Sequence, residues 1–179
     1  MARIIWKENV LLNVRLKDNL YTIAQLLSSP YVRFFNVQSS DGNWKNMNLN
    51  DVEIIFDLAI GNVVLRNLVV GKLNSGTLIA SDRRMEKYWI SPNISYDVFP
   101  FKGGDLIELG PDTETTTAPV IKKDLNVRHD LELIKKYELI NMWGDEDLSE
   151  RLITFFEKGD KWDIFKEKVF PELSKLKEF

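Results

Sequence analysis

Residues 19–37 read "NLYTIAQLLSSPYVRFFNV", two apolar runs parted at Pro30, with Gln25 and Arg33 as their polar interruptions. Aromatic and β-branched residues at this density suit a pleated, buried surface, so the stretch predicts two strands of a hairpin, 20–27 and 31–37. Gln25 and Arg33 then have two readings: polar residues on the wet side of those strands, or the start of a site.

Working outward, "NVLLNVRL" (9–16) alternates Val10, Leu12, Val14 and Leu16 on one face, the period of a half-buried strand. Lys17-Asp18-Asn19 supplies the turn into the next strand, because Asp and Asn tolerate the left-handed conformation. Downstream, "QSSDGNWKNMN" is a polar loop with Asp41-Gly42 as its tightest turn signal. "VEIIFDLAI" (52–60) and "VVLRNLVV" (63–70) flank Gly61-Asn62, which predicts a second hairpin; helical periodicity also fits 63–70, but its valines favour a strand. Shorter strands are expected at 76–81, 87–90 and 105–109. So many short strands at close spacing predict a curved antiparallel sheet or a small β-barrel over residues 1–110.

"GPDTETTTAP" (110–119) is polar and proline-bounded, so residues 111–128 read as a linker or long loop. The period then changes to that of helices. "DLELIKKYELINMW" (130–143) places Leu133, Tyr137 and Ile140 on one stripe before Gly144. "DLSERLITFFEKG" (147–159) carries Leu148, Leu152, Phe155 and Phe156 at helical spacing, with Asp147 and Glu150 spaced as a capping box and Gly159 as the stop. "DKWDIFKEKVF" repeats the pattern, and Pro171 starts a last turn or two. The expectation is one α+β domain: a β-rich part, then about three helices over 129–179 packed on the sheet, with Leu152, Phe155, Trp162 and Phe165 buried.

At 179 residues, 44% hydrophobic and 11% aromatic, the chain can bury a sizeable core. No apolar run reaches the roughly 18 residues a spanning helix needs, and the patch in "MARIIWKENV" is too short for a signal sequence. With zero cysteines there is no disulfide or thiolate chemistry, and a cytoplasmic protein is expected. The charge is −3, from 24 basic and 27 acidic residues. That balance argues against direct nucleic-acid binding, since Arg83-Arg84 and Lys122-Lys123 are too short to form a basic stripe. It suits a basic protein partner better.

The sequence carries no catalytic signature. Its single histidine, His129, precedes the first helix and reads as a cap or surface residue. There is no Gly-x-Ser-x-Gly elbow, and Gly71-Lys72 of "VVGKLNSGT" (69–77) is preceded at position 66 by Arg66, where a phosphate loop needs its first glycine. Asp51, Glu53 and Asp57 would share one strand face; acid–base chemistry needs two carboxylates in unlike settings, and a solvated outer face is the expected reading. Asn93-Ile94-Ser95 has the form of a glycosylation sequon, which has no meaning in the cytoplasm. The chain therefore reads as no enzyme, with no metal or cofactor.

Binding is the remaining class. Arg, Tyr and Trp dominate interface hot spots, and "RRMEKYWISP" (83–92) gathers Arg83, Arg84, Tyr88 and Trp89. Tyr88 and Trp89 are expected in the core, whereas Trp44, in its polar loop, stays open between core and contact. The acidic run "GDEDLSE" (144–150) suits a helix N-terminus, a partner surface, or both.

Three stretches resemble the immunity protein 26 family of bacterial polymorphic-toxin systems, the contact-dependent inhibition type. They are "LYTIAQLL", "VEIIFDLAI", and the later run with Leu131-Glu132, Trp143 and Arg151-Leu152. The first strand, "ENVLLNVRL", lacks the Gly-Asp and proline that often open the family's first strand. The resemblance implies a protein that binds one cognate toxin domain in the producing cell and neutralises it by occlusion, with Gln25 a fold signature bonded within the sheet. A toxin that is a basic nuclease would be met by Asp145, Glu146, Asp147 and Glu150. An acidic toxin surface would favour Arg83, Arg84 and Trp89, and Trp44 is a further candidate contact. The alternative function is an RNA-binding β-barrel module in which Arg33 with Phe34 or Phe35 forms a stacking platform.

Overall fold

The computed structural model describes residues 4–74, 76–93, 102–110 and 114–176. The strands are β1 (Leu11–Lys17), β2 (Leu20–Leu26), β3 (Tyr31–Ser39), β4 (Met47–Asn48), β5 (Ile54–Ile60), β6 (Val69–Lys72), β7 (Leu78–Ile79), β8 (Tyr88–Pro92), β9 (Gly104–Glu108), β10 (Val120–Lys122) and β11 (Met142–Trp143). The helices are α1 (Asn62–Asn67), α2 (Val127–Lys136), α3 (Asp145–Lys158) and α4 (Ile164–Val169), followed by a 3-10 turn at Pro171–Leu176. This is the α+β class the sequence predicts. Among the described residues, no helix is long and apolar enough to cross a membrane.

The chain divides into two compact units, Met1–Met85 with Met142–Trp162, and Glu86–Asn141 with Asp163–Phe179. The first holds a six-stranded sheet in the order β11-β5-β3-β2-β1-β6, antiparallel except where β11 joins β5. Register breaks between Asn13 and Val14, Thr22 and Ala24, and Phe34 and Phe35 interrupt three of its ladders, β1–β6, β2–β3 and β3–β5. Bulges of this kind bend a strand and increase its twist, which gives the sheet its half-barrel curl. Asn19, at φ 59°, turns β1 into β2 as expected. Gly42, at φ 72°, turns the loop after β3. A Cβ there would lie 2.9 Å from the Asn13 amide and 3.0 Å from the Tyr21 ring. In the same loop the Asn43 backbone N–H, then its side chain, then Ser39 donate to Asp41 and push its carboxyl down to about 2.

Alternation sends two cross-strand rows to opposite faces. Leu12, Ala24, Phe34 and Phe56 pair in register on one face. Here α3 docks, with Leu148 and Leu152 fully buried and the Phe155 ring edge-on to Phe56 at 5.9 Å. The Arg151 guanidinium lies 3.9 Å from the Phe56 ring centroid and 4.8 Å from that of Trp143. Leu11, Gln25, Arg33 and Asp57 form the row on the opposite face. Beside it, Leu11, Ile23, Phe35, Leu49 and Leu78 make a second cluster, against which Trp44 packs.

The second unit holds the antiparallel sheet β10-β9-β8. Leu139 forms a bridge to Ile90, and the Tyr137 ring meets that of Tyr88 edge-on at 5.6 Å. Asn126 caps α2 by accepting from the Arg128 N–H, and Asp163 caps α4 through Phe165 and Lys166. The buried Asp130 carboxylate takes hydrogen bonds from the Lys122 ammonium and the Asn126 N–H, which hold its pKa below the usual value.

Five expectations are corrected. Gly61-Asn62 is no hairpin: Gly61 is the N-cap of α1, Val64 and Leu65 are buried, and the strand starts only at Val69. Strands β5 and β6 are far apart in the sheet order, so the chain must cross between them, and a short helix makes the crossing where local propensity favours a strand. The helix expected over 130–143 starts at Val127 and ends at Lys136. Beyond it Tyr137, Leu139 and Trp143 are buried at odd positions, an extended pattern that mimicked a helical stripe. The stretch read as a linker contains β10, and its residues 111–113 lie outside the described residues. Asp147 and Glu150 form no capping box, because α3 starts at Asp145 behind Gly144 and has no side-chain cap. Of the side chains expected to be buried, Leu152 and Phe155 are, whereas Trp162 and Phe165 are half-buried. Gly159 closes α3 in the left-handed conformation, as its sequence predicts.

Candidate functional site

Gln25 and Arg33 are neither wet nor catalytic in placement. Both are fully buried, and both hold backbone. The Gln25 Nε2 donates to the Ser81 carbonyl at 2.8 Å and to Asn9 Oδ1 at 3.0 Å, while its Oε1 accepts from the Ser81 N–H at 2.8 Å. One side-chain amide thus pairs with one residue's backbone as a neighbouring strand would. The Arg33 guanidinium donates to the Arg83 and Arg84 carbonyls at 2.7 and 3.1 Å. Its Nε and Nη2 make a two-pronged pair with Asp57 at 2.8 and 2.9 Å. The segment 80–85 is therefore a strap across one face of the sheet. Asn50 accepts from the Asp82 N–H, and the Arg83 side chain reaches back to the Leu49 and Val52 carbonyls. An irregular segment has no ladder of its own, so where its peptide groups are shielded from water, as at the buried Ser81, side chains must satisfy them.

This arrangement corrects two expectations. Asp57 is the buried partner of Arg33 rather than part of a solvated face. Glu53, in contrast, is exposed and bonds Asn36 and Lys161, and Asp51 is exposed. The stacking platform is absent too: Arg33, Phe34 and Phe35 are all buried and cannot receive a base.

The exposed side of α3 carries the acidic candidates. Asp145, Glu146 and Glu150, with Ser149, Ile153 and Thr154, line an open groove of about 400 Å³ that Leu68, just after α1, also lines. Helical spacing brings these positions onto one face. Asp147 falls outside the groove, exposed to solvent. Asn67 Nδ2 donates to Asp145 Oδ2 at 2.6 Å, and this bond lowers the Asp145 pKa. Asn67, Leu68 and Ile153 escaped the sequence reading; the 3.6-residue period of α3 points to Ile153, but nothing local points to α1.

Family comparison places the chain. A family model described as a domain of unknown function (DUF8309) matches residues 1–175. The chain belongs to the DUF8309 family. Comparison with curated proteins and with solved structures gives no match.

The other candidates of this DUF8309 chain do not form a surface patch. Trp89 is 2% exposed and donates its indole N–H to the Glu86 carbonyl, so it is core. Arg83 is half-buried and committed to the strap, and Arg84 is exposed. Trp44 resolves toward the core: it is half-buried, and its Nε1 donates to Asn13 at 3.1 Å. His129 is exposed on the first turn of α2, beside a cavity of about 630 Å³ in the second unit. Lys102, Arg128 and His129 line that cavity opposite Asp124 and Glu172, so its charge favours neither anions nor cations. Among the described residues, no three potential metal ligands come together.

Proposed function

We propose that this DUF8309 protein is an immunity protein that binds a cognate bacterial toxin domain and neutralises it by occlusion, without catalysis, in the cytoplasm of the producing cell. The observation carrying the reading is the acidic groove, an accessible, one-signed surface on a helix that is itself firmly seated on the core. The resemblance to the immunity protein 26 family supplies the partner class. A nuclease toxin must hold phosphates in a basic cleft, and an acidic surface both steers toward such a cleft and covers it. Gln25 and Arg33 build the scaffold in this reading and take no part in binding.

The test is a search of the neighbouring genes for a toxin domain, its co-expression with this chain, and association kinetics at two salt concentrations; a neighbourhood with no toxin domain counts against the reading. Protected cells and a one-to-one complex are expected. The Glu146→Lys/Glu150→Lys variant should associate about tenfold more slowly at low salt, converging on wild type at high salt as screening removes the steering. Unprotected cells, or protection that requires turnover of a small molecule, would sink the reading.

A further inference from the structure

We propose that Asp41–Gly42 is a latent covalent modification site, where aspartate can isomerise to isoaspartate and the folded loop after β3 suppresses the reaction. The proposal is independent of what the protein binds. Asp41–Gly42 is the chain's one Asp-Gly pair. Such pairs are labile because a following glycine leaves the peptide nitrogen unshielded. The Gly42 nitrogen attacks the Asp41 Cγ, the N–Cγ bond forms, and the Gly42 proton departs with the carboxyl hydroxyl as water. Water then reopens the succinimide ring at either carbonyl. Cleavage at Cγ restores aspartate. Cleavage at the α-carbonyl leaves the main chain running through Cγ, one carbon longer.

The fold needs the glycine of this pair. At φ 72°, with the Asn13 amide 2.9 Å from where a Cβ would lie, position 42 excludes a side chain. The loop instead disables both reacting groups. The nucleophile is occupied: the Gly42 N–H donates to Ser39 Oγ at 3.0 Å, and Gly42 is buried. The electrophile must be the neutral acid, since it has to release water. Here the Asp41 carboxylate accepts from the Ser39 hydroxyl at 2.8 Å, and from the Asn43 N–H and Asn43 Nδ2 at 2.9 Å each. Hydrogen bonds to the charged form favour it, and these bring the Asp41 carboxyl down to about 2. The loop's attachment to β1 depends on the native spacing. Asn13 Nδ2 donates to the Gly42 carbonyl at 3.1 Å, and Asn13 Oδ1 accepts from the Trp44 indole N–H at 3.1 Å. An extra main-chain carbon ahead of Gly42 would break that register.

The experiment ages the full chain at mildly acidic pH, folded and in guanidinium chloride, and measures isoaspartate at position 41 by peptide mapping. The folded chain should isomerise at least about tenfold more slowly, since each unit by which a pKa falls removes a factor of ten of the neutral acid. Ser39→Ala removes one donor to the carboxylate and the acceptor of the Gly42 N–H, so while folded it should isomerise about fivefold faster than wild type. Ser39→Thr keeps the hydroxyl and should isomerise at the wild-type rate. In guanidinium chloride all three chains should age alike. Equal rates for folded and denatured wild type would overturn the proposal, as would Ser39→Ala ageing no faster than wild type. Ser39→Thr ageing as fast as Ser39→Ala would also overturn it, because the acceleration would then come from a loosened end of β3 and not from the lost hydroxyl.

Discussion

On one face of the six-stranded sheet, Leu12, Ala24, Phe34 and Phe56 meet the apolar stripe of α3; on the other, Gln25, Arg33 and Asp57 meet a stretch of irregular backbone. Both faces are dry, but they are dry for different reasons. The helix brings its own hydrogen bonds, so the sheet needs only to offer it apolar area. The strap has peptide groups without a ladder, so the sheet must offer donors and acceptors at fixed positions. Apolar burial is nondirectional and tolerates exchange of similar volumes. Polar burial is directional, and an unmet partner there costs more than a lost contact.

The largest effect should come from removing one member of the polar row. Asp57→Leu leaves the Arg33 guanidinium fully buried without its carboxylate, and an uncompensated buried charge costs about 3–5 kcal/mol. Adding Arg33→Met removes the charge itself. The double variant should therefore be at least about 1 kcal/mol more stable than the single one in urea unfolding, because a buried ion pair often yields little over apolar residues of similar size. A double variant no better than Asp57→Leu would locate the cost in the grip on the Arg83 and Arg84 carbonyls instead.

Phe155→Ala tests the apolar face. The ring is 7% exposed and stacks edge-on with Phe56. Its loss should cost about 3 kcal/mol, the low end for a buried phenylalanine. A loss below about 1 kcal/mol by the same urea measurement would mean that α3 is not seated as described and that the two faces do not differ in this way.

The same difference explains what could be read in advance. Alternation in Leu12, Val14 and Leu16 and the spacing of Leu148, Leu152 and Phe155 reported the apolar face directly, because burial there is periodic. The left-handed stop at Gly159 and the turn at Asn19 were legible because backbone conformation constrains residue type. A bonded, in-sheet role for Gln25 is implied by the resemblance, but its partner is not. Ser81 lies 56 residues away, and side-chain grip on backbone leaves no pattern in the gripped sequence. Asp57 was misplaced because strand alternation implies a wet face only where nothing covers it. Two errors share one cause: 63–70 and 137–143 are short segments in which local pattern fits both periods, and tertiary context chose. In the groove, the carboxylates were legible as a run, whereas Leu68 belongs to it only through the packing of α1 beside α3.

The smallest effect on stability should come from Gln25, whose amide is neutral and whose loss strands no charge. Gln25→Leu keeps the volume and removes the acceptor for the Ser81 N–H and a donor to the Ser81 carbonyl. Ser81 is buried, so these two groups lose partners that water cannot easily replace. A cost of about 2 kcal/mol is expected, within the range for stranded buried polar groups. Hydrogen exchange sharpens the point, since the Ser81 amide should be protected in the wild type and exchange faster in the variant if the strap lifts. Gln25→Glu separates the two bonds: its carboxylate still accepts from the Ser81 N–H but meets the Ser81 carbonyl as a second acceptor, so it should be no more stable than Gln25→Leu. Binding to the proposed toxin partner, measured on the folded fraction, should remain near wild type in both variants. Wild-type melting with lost toxin affinity would reverse the assignment and move Gln25 from scaffold to site.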